Sequence, residues 1–210
     1  MVGGDSAVQE DMDRPFMDAF PMIIGFVLAV TFVMMLFLFR SILIPLKSIF
    51  MNLLFVLASY GVMVLVFQYG VGESLLRFKA PGGLASYLLV FLFCVLFGLS
   101  MDYEVFLISR VKEEHDQTGD NEESVAWGLE HTGGIITSAA LIIVIVFGAF
   151  SFSSLVEVKE LGVGLAVAVL LDATIIRTIL VPATMRLLGE WNWWLPRRLR
   201  QILPEVKLQH

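Results

Sequence analysis

The stretch "FCVLFGLSMDYEVFLISR" puts Asp102, Tyr103 and Glu104 in succession inside a run otherwise dominated by leucine, phenylalanine and valine. A low-dielectric setting penalises the charged form of a carboxyl, which fits it to take up and give back a proton. Tyr103 follows about 100° further round a helix, and its hydroxyl can donate to a carboxylate on a facing helix. Glu104 lies another step round, largely away from Asp102 and closer to Arg110. A second aspartate, Asp172, stands in another apolar run with Arg177 five residues later. That spacing is off the i+4 face of an α-helix, although the long side chain of Arg177 can neutralise something nearby or snorkel.

The chemistry these residues point to is proton exchange within a membrane. Asp102 and Tyr103 are the expected relay. Glu104, Ser100, Thr137, Ser138, Asp172 and Arg177 are its candidate supports. The hydroxyls are ambiguous, because Ser and Thr in membrane helices commonly bond to their own backbone. An aspartate at mid-membrane depth costs about 2.5–3.5 kcal/mol to insert, so a chain keeps it where it faces a partner, a cavity or an ion path. The bland reading of each acid is a helix-packing hydrogen bond with no transport role.

Enzyme readings find little support. An intramembrane aspartyl protease would share one proton between two carboxyls, but here the order is Asp-Tyr and Asp172 follows "VLL". His115, His131 and His210 fall outside the apolar runs, so no nucleophile–histidine pair is offered. No cysteine or histidine cluster suggests a metal site, and no cofactor is expected. The basic tail is too short and too close to the apolar runs to suggest nucleic acid.

The elements that must position these residues follow from composition. The 210 residues are 58% hydrophobic and 16% charged, with a mean hydropathy of +0.83. A soluble domain of this size cannot hide that much apolar surface, and the bilayer is the alternative solvent. Five windows approach the roughly 20 residues that cross the hydrocarbon core: about Met22 to Phe39, Ser48 to Tyr69, Ser86 to Ser109, Gly134 to Phe152 and Leu161 to Met185. Helix is the only state that satisfies the backbone of a lone segment in lipid. The expectation is an all-α membrane protein with five transmembrane helices. Its divisions are a 1–20 lead, helices within 21–69, a 70–85 loop, helix three at 86–109 with the Asp-Tyr pair, an amphipathic linker at 110–133, helices within 134–185, and a basic, aromatic tail at 186–210.

Arg40, Lys47, Arg110, Lys112, Arg186, Arg197, Arg198, Arg200 and Lys207 alternate across the connections with the smaller set Arg14, Arg77, Lys79 and Lys159. The richer side is expected to be cytoplasmic, placing the N-terminus outside and the C-terminus inside the plasma (inner) membrane. "DNEESVAWGLEHTGG" reads as a short helix capped by Asp120, with Glu123 three residues on, stopped by Gly133 and Gly134. Val125 and Leu129 would rest on the membrane surface. The tail "WNWWLPRRLR" suits the lipid interface. Cys94, the single cysteine, is expected to pack. Gly98, Gly164 and Ala168 precede the two aspartates at helical spacing and are expected to let helices approach closely. That would gather Asp102, the helix-four hydroxyls and Asp172.

"FGLSMDYEVFLISRVKEEHDQTGDN" resembles the signature of the MMPL family of transporters, within the resistance–nodulation–division (RND) superfamily. "FRSILIPLKSIFMNLL", "GGIITSAALIIVIVFGAF" and "KELGVGLAVAVLLDATIIRTILVPATMRLLGEWNWWLP" resemble it in the same order, over nearly the whole chain. The resemblance implies two pseudo-symmetric repeats of six helices, each with a large extracytoplasmic domain after its first helix. The five spans would be part of the second repeat, helices eight to twelve. It also implies that Asp102 and Tyr103 face an equivalent pair in the other half and couple proton entry to export of lipids, glycolipids or drugs. Membrane lipids, protons and an N-terminal half or a second copy are the implied partners. The alternative is a non-transporting membrane scaffold, or the remnant of a split transporter gene.

Overall fold

The apolar windows become helices longer than the windows themselves. The computed structural model describes residues 5–76, 78–79, 83–84, 86–196 and 199, with side chains except those of 5–13 and 75. Arg77, Arg197, Arg198, Arg200, Lys207 and His210, named above, lie outside the described residues.

Helix α1 spans Asp5–Phe39 and α2 spans Leu43–Met63, continued by a π turn at Val64–Gln68. A short α3, Glu73–Leu76, follows in the connection. Helices α4, Ser86–Thr118, and α5, Asn121–Phe150, form the longest hairpin. The last span is composite: α6 at Val156–Leu171, a π-helical segment at Asp172–Leu180 and α7 at Val181–Leu188, closed by a 3-10 turn at Gly189–Trp193. No strand occurs among the described residues. Five stretches are long and apolar enough to cross a membrane: Arg14–Phe39, Leu43–Gln68, Ser86–Thr118, Asn121–Phe150 and Val156–Trp193. The chain is an all-α, multi-pass membrane protein.

Several boundaries differ from the sequence expectation for one reason: a helix that has started continues until something ends it. Residues 5–20 of the lead are helical and run straight into the first span, through Pro15 and Pro21. The 110–133 linker is not a separate short helix. Helix α4 carries it to Thr118, Gly119 turns the chain at φ +72°, and Asp120 caps α5 by accepting from the Glu122 and Glu123 amides. Helix α5 then runs through Gly133 and Gly134 without a break. Neither glycine takes the left-handed conformation that ends helices, and interrupting a helix near lipid would leave backbone groups unpaired. At about 1.5 Å per residue, the 33 residues of α4 outreach the roughly 30 Å hydrocarbon core, so the α4–α5 hairpin projects beyond it.

That projection also changes the setting of Val125, which is buried in the core rather than resting on a membrane surface. Nearby, Gly128 lies so close to α4 that an added Cβ would sit 2.5 Å from Val111 Cγ2 and 3.1 Å from the Val111 amide nitrogen. Glycine is needed there for the approach. Gly164 is equally confined, 2.7 Å by the same measure from Met63 Sδ. Its carbonyl accepts from the Ser59 hydroxyl at 3.0 Å, and Ala168 is fully buried. Gly98 is not part of such a contact: a Cβ there would meet nothing within 4 Å. Cys94, on the same outer strip of α4, is exposed rather than packed.

Candidate proton-relay site

Four charged side chains converge inside the bundle. Glu104 of α4, Asp172 and Arg177 of the π-helical segment, and Lys47 of α2 are all buried. Lys47 belongs to the first turns of α2, not to the link before it. Arg177 holds the group together. Its Nε donates to Asp172 Oδ2 at 2.8 Å, and its Nη2 donates to the same oxygen at 2.6 Å. Nη2 also reaches α4, donating to the Ser100 carbonyl at 2.5 Å and the Ser100 hydroxyl at 2.9 Å. The Ser100 hydroxyl in turn donates to Asn52 Oδ1 of α2 at 2.8 Å. Three helical spans are thereby tied through one guanidinium.

The local helix geometry makes the central ion pair. In an α-helix, residues five apart are turned about 140° from one another. A π-helix closes its turn by i→i+5 bonding, and Asp172 and Arg177 are five apart within such a turn. The Thr178 hydroxyl donates to the Ala173 carbonyl over the same interval. The i,i+5 spacing, unpromising for an α-helix, is the natural spacing for a pair here.

Two cations and two carboxylates balance in this interior. Lys47, Arg177 and Asp172 are the charges that act on Glu104, and Ser48 beside it is fully buried. Asn52, Ser100, Glu104, Asp172 and Arg177 border one crevice with Leu107, Ile176 and Val181, too tight for a water molecule. Lys47 Nζ, Asn52 Nδ2, Glu104 Oε1, Asp172 Oδ1 and Arg177 Nη1 are buried without a hydrogen bond to the protein. Native interiors leave few polar atoms in that condition. Five together leave part of this interior's hydrogen-bonding capacity unused among the described residues.

Tyr103 stands at the edge of the cluster. The Arg177 guanidinium carbon lies 5.1 Å from its ring centroid, a cation–π contact. Asp102, one residue earlier, is exposed on the outer side of α4 with Phe91, Cys94 and Gly98. It makes no hydrogen bond or ion pair with the described residues. The structure therefore brings Tyr103, Glu104, Ser100, Asp172 and Arg177 together and leaves Asp102 on the opposite side of the tyrosine.

Thr137 and Ser138 do not join. Both are exposed on α5 and donate to their own helix, Thr137 to the Gly133 carbonyl at 2.8 Å and Ser138 to the Gly134 carbonyl. The gathering of Asp102, these hydroxyls and Asp172 expected from small-residue spacing is not formed. Nor are Asp102 and Asp172 arranged as a proton-sharing acid pair, since Asp172 is engaged by Arg177. Sequence reasoning overlooked Lys47, Ser48 and Asn52. Asn52 carried a readable signal, because an amide in an apolar span needs a partner as an acid does. Among the described residues, no group of three or more His, Cys, Asp or Glu side chains is placed to hold a metal.

The model of the MMPL family matches residues 1–203. The chain is 43% identical over 205 residues to the heme uptake protein MmpL11 of Mycobacterium tuberculosis, covering 98% of this chain and 21% of that protein. It is 43% identical over 208 residues to the mycolic acid-containing lipids exporter MmpL11 of Mycolicibacterium smegmatis, covering 99% of this chain and 22% of that protein. With the trehalose monomycolate exporter MmpL3 of the same organism it shares 39% identity over 207 residues, covering 99% and 20%. The chain spans about a fifth of the length of these relatives. By name they move lipids or heme, which supports a transporter.

Proposed function

This chain belongs to the MMPL family, and from that premise we propose that it is the C-terminal membrane module of a proton-driven exporter of lipids or hydrophobic compounds. The observation that carries the reading is the division of labour around Tyr103. A compensated interior of Lys47, Glu104, Asp172 and Arg177 lies on one side of α4, and the uncompensated Asp102 lies on the other. Asp102 and Tyr103 form the proton-exchanging pair, turned toward a counterpart outside this chain, which is an N-terminal half or a second copy. Its N-terminus is extracytoplasmic and its C-terminus cytoplasmic, in the plasma membrane.

The mechanism follows from charge. When Asp102 is ionised, a facing hydroxyl or amide holds it by a charge-assisted bond. When it is protonated, that attraction weakens and α4 is released to shift against the facing element. Tyr103 sits on Arg177, so movement of α4 is felt by the guanidinium that ties α4 to the last span and, through Ser100 and Asn52, to α2. One elementary charge crossing 100 mV supplies about 2.3 kcal/mol, enough to bias conformers separated by a few kcal/mol. The interior cluster keeps the three spans moving as one body. Glu104 is a positioning residue in this scheme. The chemistry is transport and no bond of the cargo is broken.

Co-expression with a cognate N-terminal half tests the reading. Export of a labelled lipid should be restored by the native chain and abolished by Asp102→Asn. Equal export with Asp102→Asn would leave a membrane scaffold as the better description.

A further inference from the structure

Inside the bundle, one donor and one acceptor are left over on facing spans. Arg177 Nη1 and Glu104 Oε1 are buried without a hydrogen bond among the described residues. Both residues border the crevice between α4 and the last span, which is too tight for a water molecule. We propose that Glu104 is a second station for the Arg177 guanidinium. In that setting the π-helical segment yields, Nη1 donates to Glu104 Oε1, and a charge tie forms between α4 and the last span beyond those already described. The tie rests on the relay reading only for its use, because the same guanidinium lies against Tyr103 and a turn toward Glu104 is felt there.

The second station is within reach of the first. Ser100 and Glu104 are four residues apart on α4 and share a face, about 6 Å apart along the axis. Arg177 Nη2 already donates to the Ser100 carbonyl at 2.5 Å and to the Ser100 hydroxyl at 2.9 Å. The guanidinium therefore starts about one turn from Glu104. Its bonds to Asp172 use Nε and Nη2, at 2.8 and 2.6 Å. Nη1 is free to take a second carboxylate while Asp172 stays paired. A planar fork with five donors makes such a bridge, which a lysine ammonium does not match. The charges that face Glu104 from other elements are Lys47 of α2 and Asp172 and Arg177 of the last span. Lys47 is the competitor, and its Nζ has no hydrogen bond among the described residues either.

The last span is built to yield where Arg177 sits. On one side of the segment the Gly164 carbonyl accepts from the Ser59 hydroxyl at 3.0 Å, and a Cβ on Gly164 would lie 2.7 Å from Met63 Sδ. On the other side the Met185 carbonyl accepts from Asn121 Nδ2 at 3.0 Å and from Asn192 Nδ2 at 2.6 Å. Between these fixed points Asp172–Leu180 is π-helical, a form rare in proteins and frequent at functional sites. A change confined to that segment moves Arg177 and leaves both ends in place. The spans stay tied throughout, since Ser100 holds Nη2 in either setting. Burial supplies the drive: an unmade hydrogen bond is costly in an interior, and one movement satisfies two such atoms.

Solid-state NMR of the chain in lipid, with 15N-arginine and 13C-glutamate labels, tests this by side-chain contact. Asp172→Asn leaves Glu104 as the carboxylate at the crevice, and Lys47→Met removes the competing cation while keeping the Asp172 pair. Each variant should show a new arginine–glutamate contact at ion-pair distance, within about 4 Å, in addition to those of Arg110–Glu113 and Arg186–Glu122. Adding Glu104→Gln should abolish it. A contact that is absent from the variants, or that survives Glu104→Gln, would overturn the proposal; where one variant fails to fold, the other decides. The readout is a contact and not export, so its failure would leave the Asp102 relay standing, and loss of the relay reading would leave the contact standing.

Discussion

The two sides of α4 carry acids two residues apart and live in different worlds. Glu104 is 3% exposed, among two cations and a second carboxylate. Asp102 is exposed on a strip with Phe91, Cys94 and Gly98, where the described residues provide nothing to compensate it. Depth in the membrane is nearly the same for both. What differs is which neighbouring helix meets that side, and the contrast shows that an acidic residue in an apolar run carries two distinct meanings. On the proposed reading, one acid belongs to a charge-compensated interior and the other awaits a partner outside this chain. Tyr103, between them and stacked on Arg177, connects the two.

The contrast can be broken most severely at Arg177. Arg177→Met leaves Asp172 and Glu104 buried with Lys47 as their remaining cation, and stranding a buried charge costs about 3–5 kcal/mol. Equilibrium unfolding in mixed micelles should show that loss, and an unchanged midpoint would mean the interior side is not held by charge. A smaller effect is expected from Gly128→Ala, whose methyl group meets Val111; overpacking of this kind costs about 1–3 kcal/mol. Gly98→Ala, on the open side, should stay within about 0.5 kcal/mol in the same assay. Comparable losses at both glycines would erase the difference between the two sides. The smallest of the measurable effects belongs to the turn joining α4 to α5: Asp120→Ala removes a cap that accepts at 2.8 and 3.1 Å, a loss of about 1 kcal/mol. Amide hydrogen exchange in the first turn of α5 reads it directly.

Much of this architecture was legible because lipid imposes simple rules. Length and apolarity were enough to mark five spans, and Asp120 announced its own helix start. Helix ends were harder, since Gly133 and Gly134 resemble a stop but behave as ordinary helix when neighbours support them. The π-helical turn was invisible, and with it the direct Asp172–Arg177 pair, because an α-helical period puts position i+5 on another face. Lys47 counted as a loop charge until the fold placed it five residues into α2. Nor did periodicity distinguish the side of α4 that meets α2 and the last span from the side that meets neither. Small residues appeared equivalent in sequence, yet Gly128 and Gly164 are confined by neighbours and Gly98 is not.

The central claim is that Asp102 exchanges a proton while the interior acids serve cohesion. Infrared difference spectroscopy of the protein in lipid, stepped across pH, observes carboxyl protonation by its carbonyl band. The account predicts a pH-dependent carboxyl band that disappears in Asp102→Asn and survives in Gly98→Ala. A band unchanged by Asp102→Asn would contradict it and move the exchanging proton to another acid.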